Sequence, residues 1–493
     1  MSEIENKKTS EVKKKKGASP GILALRKVVE DVYAAAREAK KQGESIGWSS
    51  SKFPCELAEA FGLKVVYPEN QAAGIAAQHD GEVMCKAAEE LGYDNDICGY
   101  ARISLAYAAG KRGANKYDHE TGAYIINPNS GKPLKDENGN AVIDPETGKP
   151  VKDPKTMTPY TELVDLNEIN AMEEGEEKER ALAAIHRFRQ MQMPQPDFVL
   201  CCNNICNCMT KWYENIARMH NIPLIMIDIP YNNTVTIDDT YVAYVRGQFD
   251  KAIEQLEKIS GVKFDEEKFK RACANANRTA KAWLNVCNYL QYKPSPMSGF
   301  DLFNHMADVV TARGKIEAAE AFELLATELE ENVKKGESTL AFPEKHRIMF
   351  EGIPCWPGLP ALFKPLKANG INVTAVVYAP AFGFVYDDMD SMARAYCTAP
   401  NSVCLEQGVA WREGICVENK VDGVLVHYNR SCKPWSGYMA EMQRRFTKDL
   451  GIPCTGFDGD QADPRNFNTA QYETRVQGLV EAMEANKQAK EGK

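Results

Sequence analysis

Four cysteines lie within the eight residues CCNNICNC at 201–208, directly after the apolar run PDFVL. Cysteines at this density pack as small apolar side chains, form a disulfide or zinc staple, or bind a redox-active metal cluster. Two more cysteines lie in similarly polar loops, Cys98 in YDNDICGYAR and Cys432 in HYNRSCKPW. These three places are the candidates for chemistry among the 15 cysteines of the chain.

The spacing of these cysteines does not by itself decide between packing, zinc and iron-sulfur. Structural zinc sites usually contain Cys-x-x-Cys pairs or Cys/His knuckles, and no such pair occurs here. The spacing also differs from the ferredoxin runs. Packing is the better interpretation for cysteines within helical patterns or isolated in the sequence. These are Cys55, Cys85, Cys273, Cys287, Cys355, Cys397, Cys404, Cys416 and Cys454.

The composition is that of a large globular protein. The chain has 493 residues, 44% of them hydrophobic, and a formal net charge of -9, which suits two or three domains and argues against nucleic acid as a partner. No apolar run reaches the roughly 20 residues that span a bilayer, and the amino terminus lacks the apolar segment of a secretory signal. We therefore expect a cytoplasmic protein without membrane partners, in which disulfides are not expected.

Several well-known catalytic motifs are missing from the sequence. No GxxxxGK[ST], GxSxG or HExxH occurs in a convincing context, which weighs against a phosphate-loop NTPase, an α/β-hydrolase and a zincin. The stretch FDGDQADPRNF at 457–467 has three carboxylates near a glycine but lacks calcium-loop spacing. We interpret it as a turn with ribose or pantetheine contacts.

The candidate cysteines must be positioned by the surrounding fold. The main signal for that fold is a set of short apolar runs, each ending in a polar or glycine-rich corner. Such runs, separated by helical patterns, are typical of buried parallel strands. The predicted fold class is α/β, with two doubly wound, Rossmann-like parallel-sheet domains and an intervening helical domain. Ligands of such sheets bind beyond the carboxyl ends of the strands. The predicted strands lie in 197–204, 223–230, 347–358, 372–380, 423–432 and 452–463.

Changes in composition predict the domain organisation. The repeat GKPLKD and GKPVKD is punctuated by turn-forming Gly and Asn, which predicts small exposed hairpins within an insertion. We interpret GWSSSKFP at 47–54 as a loop before the helix CELAEAFG. The predicted parts are a flexible basic tail at 1–20, an N-terminal α/β domain at 21–235 with the insertion at 113–194, a helical domain at 236–340 and a C-terminal α/β domain at 341–493.

Six separated motifs, in one order, resemble the 2-hydroxyacyl-CoA dehydratase family, which includes components of benzoyl-CoA reductase. They are GWSSSKFPCELAEAFGLKVVYPENQAAG, DICGYAR, PDFVLCCNNICN, FEGIPCWP, NRSCK and GFDGDQADPRNF. The likeness extends over nearly the whole chain and is closest to α subunits that act on (R)-2-hydroxyglutaryl-CoA.

The resemblance implies a four-iron four-sulfur (4Fe-4S) cluster with three cysteine ligands and one open iron site. The residues that match the ligand motifs are Cys98 of DICGYAR, Cys206 of CNNIC and Cys432 of NRSC. On this interpretation Cys201 and Cys202 finish a strand, and Cys208 begins the next helix. An open iron site acts as a Lewis acid toward a substrate oxygen. Some members also carry FMN, for which nothing in this chain assigns a site.

The implied reaction is syn elimination of water from (R)-2-hydroxyglutaryl-CoA to give (E)-glutaconyl-CoA, a hydro-lyase step in anaerobic glutamate fermentation. The β proton is unactivated, and acid-base catalysis, worth about 10²- to 10⁴-fold, is too small to remove it. The family adds one electron to the thioester carbonyl, and the resulting ketyl radical anion expels hydroxide. The matching motifs place Ser51 at the thioester oxygen and Glu69 as acid or base; a helix N-cap and a solvated loop carboxylate are their structural alternatives.

The resemblance also implies partners, namely a smaller β subunit with its own iron-sulfur cluster and an ATP-dependent activator protein that donates an electron. Arg102 and Arg430, near two proposed ligands, are candidates for tuning the cluster or pairing with a CoA phosphate. Two alternatives remain. The substrate could be another CoA thioester, such as lactyl-, phenyllactyl- or isocaproyl-CoA, or the chain could be a non-catalytic electron-transfer subunit with Cys202 or Cys208 as fourth ligand.

Overall fold

The computed structural model describes residues 17–137, 139–186 and 192–491. Its strands form two four-stranded parallel sheets, in the orders β2-β1-β5-β6 and β10-β9-β7-β8, and an antiparallel pair of β3 and β4. The strands are β1 Ile46–Ser49, β2 Lys64–Val66, β3 Lys111–Asn115, β4 Thr161–Asp165, β5 Phe198–Cys202, β6 Leu224–Ile227, β7 His346–Glu351, β8 Ile371–Val376, β9 Gly423–Asn429 and β10 Cys454–Gly459.

Helices connect and cover these strands. None of the helices within the described residues has the length and apolar character required to span a bilayer. The helices are α1 Pro20–Lys41, α2 Cys55–Ala60, α3 Pro68–Ala77, α4 Gly81–Glu90, α5 Gly99–Ala108, α6 Leu166–Ala171, α7 Glu176–Ala184, α8 Asn207–His220, α9 Asp239–Ser260, α10 Glu266–Asn288, α11 Gly299–Thr311, α12 Ile316–Lys335, α13 Leu359–Ala368, α14 Met389–Tyr396, α15 Leu405–Glu418, α16 Lys433–Ser436, α17 Met439–Leu450 and α18 Thr469–Glu491.

Both faces of the first parallel sheet are buried. Val199 and Cys201 of β5 pack into one apolar cluster with α3, α5 and α8. Phe198, Leu200 and Cys202 of the same strand pack into another cluster with α2 and α9. Successive side chains of a strand point to opposite faces, so the continuous apolar run PDFVLCC is the pattern that this two-sided burial requires.

The second parallel sheet is built in the same way. Met349 of β7 and Val424 of β9 face a cluster formed with α15 and α17. Ile348, Phe350 and Leu425 face the opposite cluster, which includes α11, α13 and α18. The structure is therefore a mixed α/β protein with parallel sheets that carry helices on both faces.

The segment between the two sheets is helical, as predicted, and it reaches back to the start of the described chain. Helices α9 to α12 form this middle segment, and α1 packs against α12. At that contact the Ser19 hydroxyl donates a hydrogen bond of 2.5 Å to Glu328, and the Gly21 amide donates one of 2.7 Å. The most amino-terminal described helix is thereby held by the helical segment.

The predicted insertion contains small hairpins, followed by helices α6 and α7. Strands β3 and β4 pair antiparallel, and short bridges join Tyr117 to Tyr124, Lys135 to Ala141 and Ile143 to Pro150. The hairpin prediction is therefore confirmed. Lys13 to Lys16 of the predicted tail lie outside the described residues.

All six predicted strands are present, but the sequence interpretation of 47–54 was wrong in part. Ile46–Ser49 is a strand, β1, and it lies inside the first sheet between β2 and β5. Its register sets Gly47 opposite Phe198 and Trp48 opposite Val199. The loop begins only after this strand, at the serines that precede α2.

Candidate functional site

Residues that directly follow the strands of the two parallel sheets line two adjoining cavities. This is where open α/β sheets usually bind ligands, because the loops beyond the carboxyl ends of the strands converge there. The residues, with the strand that each follows, are Ser51 after β1, Glu69 after β2, Cys206 after β5, Ile353 after β7, Tyr378 after β8, Cys432 after β9 and Gln461 after β10.

Four thiols line the smaller cavity, which has a volume of about 70 Å³. They belong to Cys98, Cys206, Cys208 and Cys432, and Cys98 is hydrogen-bonded to Cys208. All 15 cysteines of the chain are free thiols. The structure thus brings together the three predicted ligands and one further cysteine, although they come from three separate loops.

Each of the three predicted ligands directly precedes a helix. Cys98 is the N-cap residue of α5, Cys206 that of α8, and Cys432 that of the single turn α16. The positive end of a helix dipole stabilises a thiolate nearby. These backbone positions therefore favour the anionic form of cysteine that binds metals.

Burial and mutual proximity oppose that anionic form. The hydrogen bond that Cys98 donates to Cys208, together with burial, raises the pKa of Cys98, and burial raises that of Cys206. Burial also raises the pKa of Cys432 to about 12, whereas the hydrogen bond with Cys98 lowers that of Cys208 to about 7. These thiols would repel one another as thiolates, and a cationic group bound between them would offset that repulsion.

The donors of this cavity are of the kind that iron-sulfur clusters use, namely cysteine thiols. Within the described residues, no three His, Cys, Asp or Glu side chains are grouped so that they could hold a metal ion. Cys201 and Cys202 are buried in the cores on opposite faces of β5 and do not line the cavity.

A hydrogen-bond network that the sequence did not predict surrounds Cys98. The Gln461 amide donates to the Cys98 sulfur at 3.1 Å, and the Ser431 hydroxyl donates to Gln461 at 3.2 Å. Ser431 in turn accepts a bond of 3.0 Å from the Gly99 amide. Hydrogen bonds to ligand sulfurs tune reduction potentials, and the position of Gln461 within the GFDGDQADPRNF motif is the signal that could have indicated it.

Ser51 and Glu69, predicted from separate motifs, are in direct contact. The Ser51 amide donates a bond of 2.8 Å to one carboxylate oxygen of Glu69, and the Ser51 hydroxyl donates to the other. The Tyr213 hydroxyl lies 3.5 Å from Glu69. Burial raises the pKa of Glu69 above its ordinary value despite these donors, so this carboxyl group holds a proton more readily than a solvated one.

The structural alternatives for these two residues are wrong. The N-cap of α2 is Pro54, and no side chain caps that helix, so Ser51 is not its cap. Glu69 belongs to the first turn of α3 and is hydrogen-bonded to Ser51. It is therefore not a solvated loop carboxylate.

The second cavity, of about 160 Å³, adjoins the thiol cavity along a shared wall. Glu69, Tyr100, Tyr378 and Phe382 line both cavities. The two tyrosine hydroxyls are hydrogen-bonded to each other, which holds the aromatic part of this wall in place. The remaining lining is mostly apolar and includes Phe303, Met306, Val310, Trp356 and Leu359.

Arg102 is an internal structural residue, and the prediction of a phosphate contact for it was wrong. Its guanidinium is fully buried and bonds Glu89 and Asp463 at 2.9 Å each. Asp460 accepts backbone amide bonds from its own loop. The buried carboxylates Asp460 and Asp463 are thus held by contacts within the fold, and the ribose or pantetheine contacts predicted for 457–467 stay a prediction. Arg430 remains exposed.

A buried ion pair supports the loop that carries Ser51. Arg313 of the loop after α11 donates to Glu56 of α2 at 3.1 Å, and also to the Phe53 carbonyl at 3.4 Å and the Tyr396 hydroxyl at 3.1 Å. Burial alone would raise the pKa of Glu56, but Arg313 keeps that pKa below its ordinary value. The pair thus fixes the chain immediately after Ser51.

Replacing Arg313 with methionine should therefore destabilise the protein strongly. Removing one partner of a buried ion pair leaves an uncompensated charge and costs about 3–5 kcal/mol. The double variant Glu56→Gln/Arg313→Met should recover much of that loss, as measured by the urea midpoint of unfolding. Equal stability of wild type and Arg313→Met would show that the pair does not stabilise this loop.

Fold and site together define an α/β protein that can bind a small ligand between two parallel sheets, beside a group of half-buried thiols. The chain belongs to the family described as 2-hydroxyglutaryl-CoA dehydratase, D-component, which matches residues 173–483.

Similarity to individual proteins extends over almost the full length. The chain is 73% identical to the α subunit of (R)-2-hydroxyglutaryl-CoA dehydratase of Acidaminococcus fermentans, over 96% of this chain and 99% of the relative. It is 44% identical to the (R)-phenyllactyl-CoA dehydratase α subunit of Clostridium sporogenes, over 98% of this chain and 99% of the relative. It is 41% identical to the (R)-2-hydroxyisocaproyl-CoA dehydratase α subunit of Clostridioides difficile, over 95% of this chain and 98% of the relative.

Proposed function

We propose that this chain is the α subunit of a cytoplasmic iron-sulfur dehydratase that removes water from (R)-2-hydroxyglutaryl-CoA to give (E)-glutaconyl-CoA in anaerobic glutamate fermentation. The observation that carries the proposal is that Glu69, which is hydrogen-bonded to Ser51, lines the thiol cavity as well as the adjoining one. The 73% identity to a named α subunit supports this substrate.

The proposed architecture has two doubly wound domains on either side of a helical domain. The proposed bounds are 21–235, with the insertion at 113–194, then 236–340 and 341–493. Parallel strands with helices on both faces of each sheet support this division.

In the proposed reaction, Ser51 and Glu69 act on the reacting end of the acyl group. The Ser51 hydroxyl donates to the thioester oxygen and stabilises negative charge on it. Protonated Glu69 delivers its proton to the departing hydroxyl, so that water leaves, and the resulting carboxylate then takes the β proton. One carboxyl group can serve both proton transfers of a syn elimination, because the hydroxyl group and the β proton leave from the same face of the substrate. The raised pKa of Glu69 suits a group that must carry a proton between them.

Cys98, Cys206 and Cys432 would hold a 4Fe-4S cluster with one open iron site. When bound, the cluster supplies a Lewis-acidic iron and a place for the electron that makes the thioester a ketyl radical anion. The proposed partners are a smaller β subunit with its own cluster and an ATP-dependent activator protein that delivers this electron. FMN in the complex has no assignable site in this chain.

One observation favours a second candidate function. The Cys208 thiol lines the same cavity and contacts Cys98, so four protein thiols are available. Four ligands would leave no open iron site, and the chain would then be an electron-transfer subunit. Cys202 does not line that cavity and is not supported as a fourth ligand. Lactyl-, phenyllactyl- and isocaproyl-CoA are the other substrates that an activity panel should include.

Replacing Ser51 with alanine tests the proposed function directly. We expect kcat for (R)-2-hydroxyglutaryl-CoA, measured with the β subunit and activator present, to fall about 10²- to 10³-fold, because a preorganised donor to the thioester oxygen is lost. The matched control is Ser49→Ala, which removes a nearby buried hydroxyl that donates to the Ser50 carbonyl at 3.1 Å. Equal rates for the wild type and Ser51→Ala would refute the role of Ser51.

A further inference from the structure

Lys52 is the one cationic side chain among the described residues that line the two cavities. It follows Ser51 directly and is only 2% exposed. A buried ammonium group requires compensation by charge or by hydrogen bonds. The surroundings of Lys52 therefore indicate what this cation is placed to bind.

Aromatic rings and a carbonyl hold the Lys52 ammonium group. Its nitrogen lies 3.8 Å from the ring centre of Phe384 and 4.3 Å from that of Phe382, and it donates to the Ala381 carbonyl. Within the described part of the chain, no carboxylate lies within 4.0 Å of this nitrogen. Burial, with Arg313 nearby, holds the pKa of Lys52 well below its usual range, and a bound anion would counteract this.

A second polar group faces the same cavity. Asn204 is 1% exposed, and neither its side-chain nitrogen nor its side-chain oxygen has a hydrogen-bond partner among the described residues. Buried polar atoms are nearly always hydrogen-bonded. Because Asn204 and Lys52 both line the thiol cavity, their donors are available to one ligand there.

We infer that Lys52 and Asn204 bind the terminal carboxylate of the acyl group, so that these two residues select a dicarboxylic 2-hydroxyacyl-CoA. This inference rests on the proposed function. With the thioester at Ser51 and Glu69, an acyl chain that extends along Phe382 approaches Lys52, because Phe382 lines both cavities and its ring centre lies 4.3 Å from the Lys52 nitrogen. A carboxylate buried there needs a cation and hydrogen-bond donors, and these are the groups present.

The test compares two substrates in the complex with the β subunit and activator. They are (R)-2-hydroxyglutaryl-CoA, which ends in a carboxylate, and (R)-2-hydroxyisocaproyl-CoA, which does not. In Lys52→Met we expect the ratio of the two kcat/KM values to fall by about 10- to 100-fold, mainly through KM for the dicarboxylic substrate. Lys52→Arg should retain part of the preference, and Lys315→Met removes a lysine charge outside both cavities as a control.

Binding of substrate analogues provides a readout without catalysis. Glutaryl-CoA should lose affinity for the Lys52→Met complex relative to pentanoyl-CoA, which is matched in chain length, when both are measured by calorimetry. If Lys52→Met does not fold, Asn204→Ala allows the same comparison, with a smaller expected loss.

The outcomes separate this inference from the proposed function. A wild-type preference for the dicarboxylic substrate that survives in Lys52→Met, or an equal loss for both substrates, would overturn the role of Lys52 alone. A wild-type complex that dehydrates only the uncharged substrate would overturn the proposed function as well, whatever the variants do.

Discussion

Replacing Cys98, Cys206 or Cys432 with serine is expected to abolish the iron and acid-labile sulfide of the anaerobically purified protein. Each of these thiols lines the same cavity and precedes a helix. A cluster with three protein ligands has no spare thiolate to compensate for a lost one. Iron and sulfide analysis of the wild type and the three variants measures this effect.

Two further variants make the cysteine experiment decisive. Cys202→Ser is the matched control, because Cys202 belongs to the same motif but lies in the core away from the cavity; it should retain the cluster. Cys208→Ser distinguishes three ligands from four. Retained iron in Cys208→Ser supports an open site, whereas lost iron supports the electron-transfer alternative. Iron that persists in the first three variants, or is absent from the wild type, would invalidate the ligand assignment.

Replacing Glu69 with glutamine should abolish most of the activity while making the protein more stable. Loss of a positioned acid-base group lowers kcat by about 10²- to 10⁴-fold. The amide can still accept the Ser51 backbone bond of 2.8 Å, so the local structure should persist. Removing a buried charge should stabilise the fold by about 1 kcal/mol. Steady-state rates and thermal unfolding measure the two effects.

The pH dependence of this stabilisation follows from the raised pKa of Glu69. A carboxyl group whose pKa is higher in the folded state binds its proton more tightly there, so its contribution to stability is fully present below the ordinary pKa. That contribution is lost as the pH rises through the folded-state pKa. The advantage of Glu69→Gln over the wild type should therefore increase as the pH rises above the ordinary carboxyl pKa, and it should level off once the pH exceeds the folded-state pKa. An advantage that decreases with pH would contradict this. Glu254→Gln, at an exposed position of α9, is the control and should change neither property.

The fold was predictable where burial leaves a long apolar pattern. Central strands such as β5 and β9 have both faces covered, so the runs FVLCC and GVLV in them are apolar without interruption. Strand β1 was missed because Ile46–Ser49 is short and contains a glycine and a serine. The Phe198 ring of the adjacent strand β5 occupies the space beside Gly47. This ring fills the volume that a large apolar side chain on β1 would otherwise fill.

The candidate site was only partly predictable because its residues are brought together by topology. Motif resemblance identified Cys98, Ser51 and Glu69 individually, but no spacing in the sequence indicates that Glu69 lines both cavities. Gln461 and Lys52 also escaped prediction. Lysine beside serine is common on a protein surface, and only its burial against aromatic rings distinguishes it.

The proposed cluster ligands come from both ends of the chain. Cys98 and Cys206 follow the first parallel sheet's strands and helices, whereas Cys432 follows β9 of the second sheet. A cluster held by all three would act as a cross-link that closes a very long loop and restrains separation of the two sheets. Oxidative loss of such a cluster would thus do more than stop turnover: it would loosen the whole chain and expose the damaged enzyme to proteolysis.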